Sequence, residues 1–131
     1  MLVVVDASTA VRLASAQVGF TTIRHLQLIA PPLLWSEATS ALHQAAWRGA
    51  IDRDSARLVL SRLLEAQIDT RQPAGLQTRA WQIADDLGWA KTYDAEYVAL
   101  AQLSDAPLLT TDARLARSAV RVVRLLDPRT L

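Results

Sequence analysis

The chain has 131 residues, 51% of them hydrophobic and only 5% aromatic, with a net charge of +1 and no cysteine. That size suits one domain with an aliphatic core, and the missing thiols exclude disulfide frameworks and thiolate-built zinc sites. The start MLVVVDAST carries neither a basic n-region nor a long apolar stretch, and no run approaches the roughly 20 residues of a membrane span, so a soluble, cytoplasmic protein is expected.

In chain order, Leu2–Val5 is a short β-branched run that reads as a buried strand, and Ser8–Ala16 as a helix. Phe20–Leu28 reads as a second short helix, followed by a brief strand at Ile29–Ala30 before two prolines. Leu33–Arg48 is helical, with Gly49 as its stop. Asp52 can cap a helix over Arg53–Ala66, in which Ala56, Leu60, Leu63 and Leu64 form the apolar face. Ile68–Thr70 reads as another strand, and Leu76–Leu87 as an amphipathic helix ended by Gly88. Thr92 can cap Tyr93–Leu103, a helix apolar on nearly every side and therefore expected deep in the fold. Pro107–Thr110 is a strand, Ala113–Ser118 a short helix and Val120–Leu125 a last strand. Strands alternating with helices predict an α/β fold with a parallel sheet covered on both faces.

Four acids stand out by position. Asp6 and Asp112 each end a strand and precede a helix. Each has an ordinary explanation as an N-cap. Asp94 lies in the first turn of its helix, where a carboxylate complements the helix dipole, yet the rest of that helix is apolar and burying an unpaired charge is expensive. Glu37 follows the Ile29–Ala30 strand on the next helix, where a solvated glutamate is the commonest case. The geometry of a parallel sheet changes these odds. All strands end at one edge, and ligands bind in the crevice there. If the first strand and Pro107–Thr110 are neighbours, Asp6 and Asp112 stand side by side. Converging carboxylates raise one another's pKa, and a hard cation such as Mg²⁺ or Mn²⁺ removes that penalty. Ser8, Thr110 and Thr111 flank the acids and can orient a carboxylate or a water, or else serve as local turn formers.

These residues carry a resemblance. VVDAST at 4–9, the glutamate after APPLLWS in 30–37, TYDAEYVALA at 92–101 and LLTTDARLA at 108–116 resemble the motif blocks of PIN-domain ribonucleases, and most closely the VapC toxins of toxin–antitoxin modules. The blocks run in order along essentially the whole chain. The resemblance implies a single PIN domain over residues 1–131, in a three-layer α/β/α fold whose parallel sheet has about five strands. It implies an endoribonuclease that hydrolyses RNA phosphodiesters with water activated by Mg²⁺ or Mn²⁺. Its acidic quartet falls on Asp6, Glu37, Asp94 and Asp112, its small hydroxyl on Ser8 and its threonine on Thr110. Glu96 is expected to be solvated or to support the site from behind. The implied partners are an RNA substrate, a VapB-type antitoxin and a second copy in a homodimer, with no membrane.

Arg12, Arg114 and Arg117 follow the acids closely and are candidate phosphate contacts; a solvated helix face explains any one of them equally. The basic set is thirteen arginines and one lysine, Lys91. Arginine suits bidentate phosphate contact, although genomic base composition accounts for the bias in the main. Trp35, Trp47, Trp81 and Trp89 can stack on bases but more often fill cores or interfaces. His25 and His43 have no role in this chemistry. A haloacid-dehalogenase-like phosphatase would need an acid at position 8, where Ser8 stands, and a receiver domain a lysine near its last strand. A PIN-like module that binds without cutting, and a PIN nuclease outside toxin–antitoxin systems, stay open.

Overall fold

A computed structural model describes residues 1–131. Its strands are β1 (Leu2–Val5), β2 (Gln27–Ala30), β3 (Ile68–Thr70), β4 (Leu108–Leu109) and β5 (Leu125–Leu126). They form one parallel sheet in the order β3-β2-β1-β4-β5. The helices are α1 (Ala7–Ser15), α2 (Leu33–Trp47), α3 (Arg53–Glu65), α4 (Leu76–Leu87), α5 (Tyr93–Leu103) and α6 (Ala113–Ala119). The expected parallel α/β architecture is therefore present, and β1 and β4 are neighbours.

The centre of the sheet is the driest part of the molecule. Val4 pairs with Ile29 on one side and Leu108 on the other, and all three are completely buried. β1 offers unbroken Val3–Val5 rather than alternation, the pattern of a strand covered on both faces. Helices α1, α2 and α3 pack on one another, while α4 packs on α5 and α5 lies against β1 and β4. Right-handed crossovers between parallel strands put these two groups on opposite faces. Every residue of α5 from Ala95 to Ala101 is buried, as its apolar circumference predicts. No helix is long and apolar enough to cross a membrane.

The caps explain most of the boundaries. The Asp6 carboxylate accepts from Thr9 N at 3.0 Å, that of Asp52 from Ser55 N at 2.8 Å, and that of Asp112 from Arg114 N at 2.9 Å. Thr92 precedes α5 without a side-chain capping bond.

Several expectations are corrected. Phe20–Leu28 is not a helix. Only a single 3₁₀ turn forms, at Thr21–Ile23, and the strand then starts at Gln27, whose N–H bonds to Met1 O at 2.9 Å. Pairing along β1 outweighs the local helical spacing, and Thr21, Thr22 and Ile23 are β-branched and weak helix formers. Strand β4 is just Leu108–Leu109, although Thr110 N still bonds to Leu126 O at 3.0 Å. The last strand is Leu125–Leu126 rather than Val120–Leu125, because Val120 still belongs to the end of α6, its N–H bonded to Ala116 O. Leu64 is 59% exposed, and the buried face of α3 is Ala56, Val59 and Leu63.

Gly19 lets the chain after α1 turn back on itself. A Cβ there would lie 2.0 Å from Leu13 O, a backbone atom with no freedom to move aside. Gly19→Ala is expected to cost about 1–3 kcal/mol, the usual price of overpacking. Urea unfolding of the variant beside wild type measures it, and equal midpoints would contradict the close approach.

Candidate active site

The strand order reverses direction at β1, so the crevice between the C-terminal ends of β1 and β4 is the switch point where ligands bind in open parallel sheets. Asp6 leaves β1 there and Asp112 follows β4. Both serve as N-caps, the ordinary explanation for each, and both stand at this crevice.

Two threonines stitch the strand ends together. Thr110 donates its hydroxyl to Asp6 Oδ2 at 2.6 Å, and Thr110 Oγ1 in turn accepts from Asp112 N at 3.0 Å. Thr9, completely buried, accepts from Thr111 N at 3.0 Å. Asp6 is thus gripped from both sides and is only 5% exposed. Ser8 lies at the rim, its hydroxyl 3.5 Å from Asp6 Oδ1.

The other two acids come from helices. Asp94 sits in the first turn of α5, and Glu37 in α2. Tyr97 lies one turn beyond Asp94 and donates to Glu37 Oε1 at 2.5 Å. That bond connects α5 to α2 and fixes Glu37 toward the crevice. Glu96 is buried and accepts from Gln77 Nε2 at 3.2 Å. It is therefore not solvated; it points between α4 and α5.

The charges are unbalanced. The ion pairs of the chain are Arg57–Asp54 and Arg129–Asp127, and neither involves the crevice acids. Burial raises the Asp6 carboxyl above its ordinary range, and the charge of Asp112 adds to this against the hydrogen bonds from Thr110 and Thr9. Burial likewise raises Glu37, with Asp94, Asp6 and Glu96 adding to it and the Tyr97 hydroxyl opposing. Asp94 is raised by burial and by Asp112 and Asp6, while Arg114 pulls it the other way. Burial is thus the main cause at Asp6, Glu37 and Asp94, and a neighbouring carboxylate adds to it at each of the three. The donors are all carboxylate oxygens, the chemistry that suits a hard divalent cation. No three of them stand close enough to hold one ion by side chains alone. Mg²⁺ is commonly held by one or two carboxylates, with waters and substrate phosphates completing its shell, so the donor set fits such an ion.

Among the arginines, Arg114 lines a cleft together with Asp94 and Glu37. Arg12 acts instead on Asp127, whose carboxyl Arg129 pulls down to about 2. Arg117 is exposed on α6 outside that cleft. Thr9 and Tyr97 were not singled out from the sequence. Tyr97 had a local signal: a tyrosine in a buried apolar helix, three residues after Asp94, needs a partner for its hydroxyl. Thr9 had none, since its partner is 102 residues away. Tyr97→Phe is expected to cost about 1 kcal/mol of stability by removing the bond to Glu37. Thermal melts of variant and wild type measure it.

The model of the PIN domain family matches residues 3–120. Ribonuclease VapC1 of Mycobacterium tuberculosis is 42% identical over 89 residues, which cover 66% of this chain and 64% of VapC1, less than two thirds of its length. Ribonuclease VapC9 of the same organism is 33% identical over 119 residues, covering 88% of this chain and 89% of VapC9. Among solved structures, PAE2754 from Pyrobaculum aerophilum superposes with a TM-score of 0.80 at 25% identity, over 99% of this chain and 91% of that one. VapBC2 from Rickettsia felis, solved bound to a DNA fragment from its promoter, gives 0.71 at 10% identity, over 97% of this chain and 98% of that one, a likeness of fold. With the strand order, the acids at the switch point and a relative aligned over most of both chains, the chain belongs to the PIN-domain family, among the VapC ribonucleases.

Proposed function

We propose that this chain is a Mg²⁺- or Mn²⁺-dependent endoribonuclease, a single PIN domain that acts as the toxin of a VapBC-type pair. One observation carries the reading: Asp6, Glu37, Asp94 and Asp112 gather at the switch point, the first three are raised by burial and by neighbouring carboxylates, and none of the four is in an ion pair. Membership among the VapC ribonucleases supports the choice of RNA as substrate and of a VapB-type antitoxin as partner. A homodimer is part of the same proposal.

In this reading one or two of Asp6, Asp94 and Asp112 ligate the ion directly, the rest of the three reach it through its waters, and Glu37 orients water. When bound, the ion supplies Lewis acidity to the attacking water and to the phosphate oxygens. The chain's own part is preorganisation. Thr110 holds Asp6 and Asp112 at a constant separation, and the α1 and α6 N-termini fix one oxygen of each carboxylate. Asp112 Oδ2 carries no bond within the chain and is free to ligate. Tyr97 keeps Glu37 aimed at the crevice rather than at solvent.

The test is cleavage of a total-RNA pool by antitoxin-free protein in Mg²⁺, in Mn²⁺ and in EDTA, beside Asp94→Asn. Discrete fragments that need metal and disappear in the variant are expected. A folded, metal-supplied wild type that leaves every RNA intact would favour a binding module without catalysis.

A further inference from the structure

The β1–β4 seam ends where the two strands give way to helices, and one side chain carries it a step further. Val5 pairs with Leu109, so the next pair in register is Asp6 and Thr110. On the β5 side the ladder continues: Leu108 N bonds to Arg124 O at 2.9 Å and Thr110 N to Leu126 O at 3.0 Å. Thr111 N, one residue on, points to the β1 side. There the carbonyl of Asp6 is already taken by Ala10 N, at 3.0 Å, in the first turn of α1. Thr9 Oγ1 replaces it as the acceptor, at 3.0 Å. Thr9 is completely buried, so its hydroxyl has no water to bond instead. The hydroxyls of Ser15 and Thr22 bond locally, to Val11 O and Gly19 O, each at 2.8 Å, which is the usual habit of such side chains. That of Thr9 reaches across 102 residues to the turn before Asp112.

We infer that Thr9 is a positioning residue: its hydroxyl fixes the turn that carries Asp112 against the end of β1, and so sets the spacing of Asp6 and Asp112 on which binding of a divalent cation depends. The inference rests on the reading of the acids as a metal site and names a residue that acts on that site without touching the ion. Two clamps are needed for a physical reason. The Thr110 hydroxyl donates to Asp6 Oδ2 at 2.6 Å and its oxygen accepts from Asp112 N at 3.0 Å, so that clamp is a single atom about which the turn can pivot. Thr9 adds a second fixed point: its N–H donates to Asp6 Oδ1 at 3.0 Å, and its Oγ1 holds Thr111 N. Asp6, Thr9, Thr111 and Thr110 then close a ring, and a satisfied buried network is more rigid than one bond. The Thr9 hydroxyl also opposes the rise of the Asp6 carboxyl that burial causes. β-branching leaves Thr9 few χ1 states, so its oxygen stays where Thr111 N needs it. Partners of this kind, one step behind the ligands, orient a metal site and govern its affinity.

The test is Mn²⁺ binding to antitoxin-free protein, read from the electron paramagnetic resonance of the free ion, together with deuterium uptake of residues 108–116 in EDTA. Thr9→Val keeps the shape of the side chain and removes the hydroxyl. It is expected to weaken Mn²⁺ binding about tenfold, the scale of losing a hydrogen-bond partner behind the ligands, and to speed exchange across 108–116. Thr9→Ala repeats both effects and guards against a poor fit of valine. Thr9→Ser keeps the oxygen and restores most of the affinity. Gly19→Ala, destabilised beyond the far end of α1, is expected to bind Mn²⁺ like wild type, which separates positioning from loss of stability. Wild-type affinity in folded Thr9→Val and Thr9→Ala, no rescue by Thr9→Ser, or an equal loss in Gly19→Ala overturns the inference. Asp6→Asn, titrated in parallel, distinguishes its failure from that of the metal reading. Mn²⁺ lost from Asp6→Asn but held unchanged by Thr9→Val overturns the role of Thr9 and leaves the metal site. Mn²⁺ bound alike by wild type and Asp6→Asn, or by neither, overturns the metal reading and this inference with it.

Discussion

Asp6→Asn is expected to reduce metal-dependent RNA cleavage by about two to three orders of magnitude while making the metal-free protein more stable near neutral pH. The two effects have one cause. Asp6 is 5% exposed, has no cation of the chain beside it and faces Asp112. Its folded-state pKa is raised, so the folded protein holds this proton more tightly than the unfolded chain does. The resulting stabilisation is complete below the ordinary aspartate value of 3.8 and is lost as pH rises through the raised value. Glu37 and Asp94 behave in the same direction. Asparagine removes the charge at position 6 and keeps the oxygen that accepts from Thr9 N, so α1 stays capped. The stability difference between variant and wild type should therefore grow from acid toward neutral pH. Thermal melts in EDTA across that range measure it. Adding Mg²⁺ at about 100 times its Kd should then stabilise wild type by about 2.7 kcal/mol and the variant by much less. A wild type whose melting temperature ignores Mg²⁺ at every pH would sink the assignment of the acids to a metal.

Leu109→Ala is expected to lose about 2–5 kcal/mol, a large part of the roughly 5–15 kcal/mol that holds a domain together. Strand β4 is two residues long, and both are completely buried. Leu109 pairs with Val5 on one side and Leu126 on the other. A cavity in so short a strand sits just before the turn that carries Thr110 and Asp112. The substitution should therefore reduce activity as well as stability, even at temperatures where the variant is folded. Urea unfolding gives the first quantity and cleavage rates at low temperature the second. A variant that loses stability with full cleavage rates would show that the site tolerates movement of β4.

The fold was legible where a local pattern and its structural cause coincide. Asp52 before Arg53, Gly88 after Leu87 and the β-branched run at Val3–Val5 carry their own boundaries, and each appears in the structure as read. The pattern misled where a distant partner decides. Phe20–Leu28 has helical spacing, yet Gln27–Ala30 is taken by the edge of β1. Leu64 fits the apolar stripe of α3 by period and lies in solvent, because the stripe that meets the neighbouring helices is centred on Val59 and Leu63.

The sequence by itself determined the alternation of strands and helices, the parallel sheet that alternation requires, and the delivery of Asp6 and Asp112 to strand ends. These follow from periodicity and caps, which act over a few residues. Only the tertiary structure decided what the acids meet. The bond from Thr110 to Asp6 spans 104 residues, that from Thr111 to Thr9 spans 102 and that from Tyr97 to Glu37 spans 60. Glu96 was decided the same way: it is buried because α4 packs on α5 and brings Gln77 to it. A hydroxyl or carboxylate takes whichever partner the packed core leaves within about 3 Å of it, and that distance is set by the whole fold.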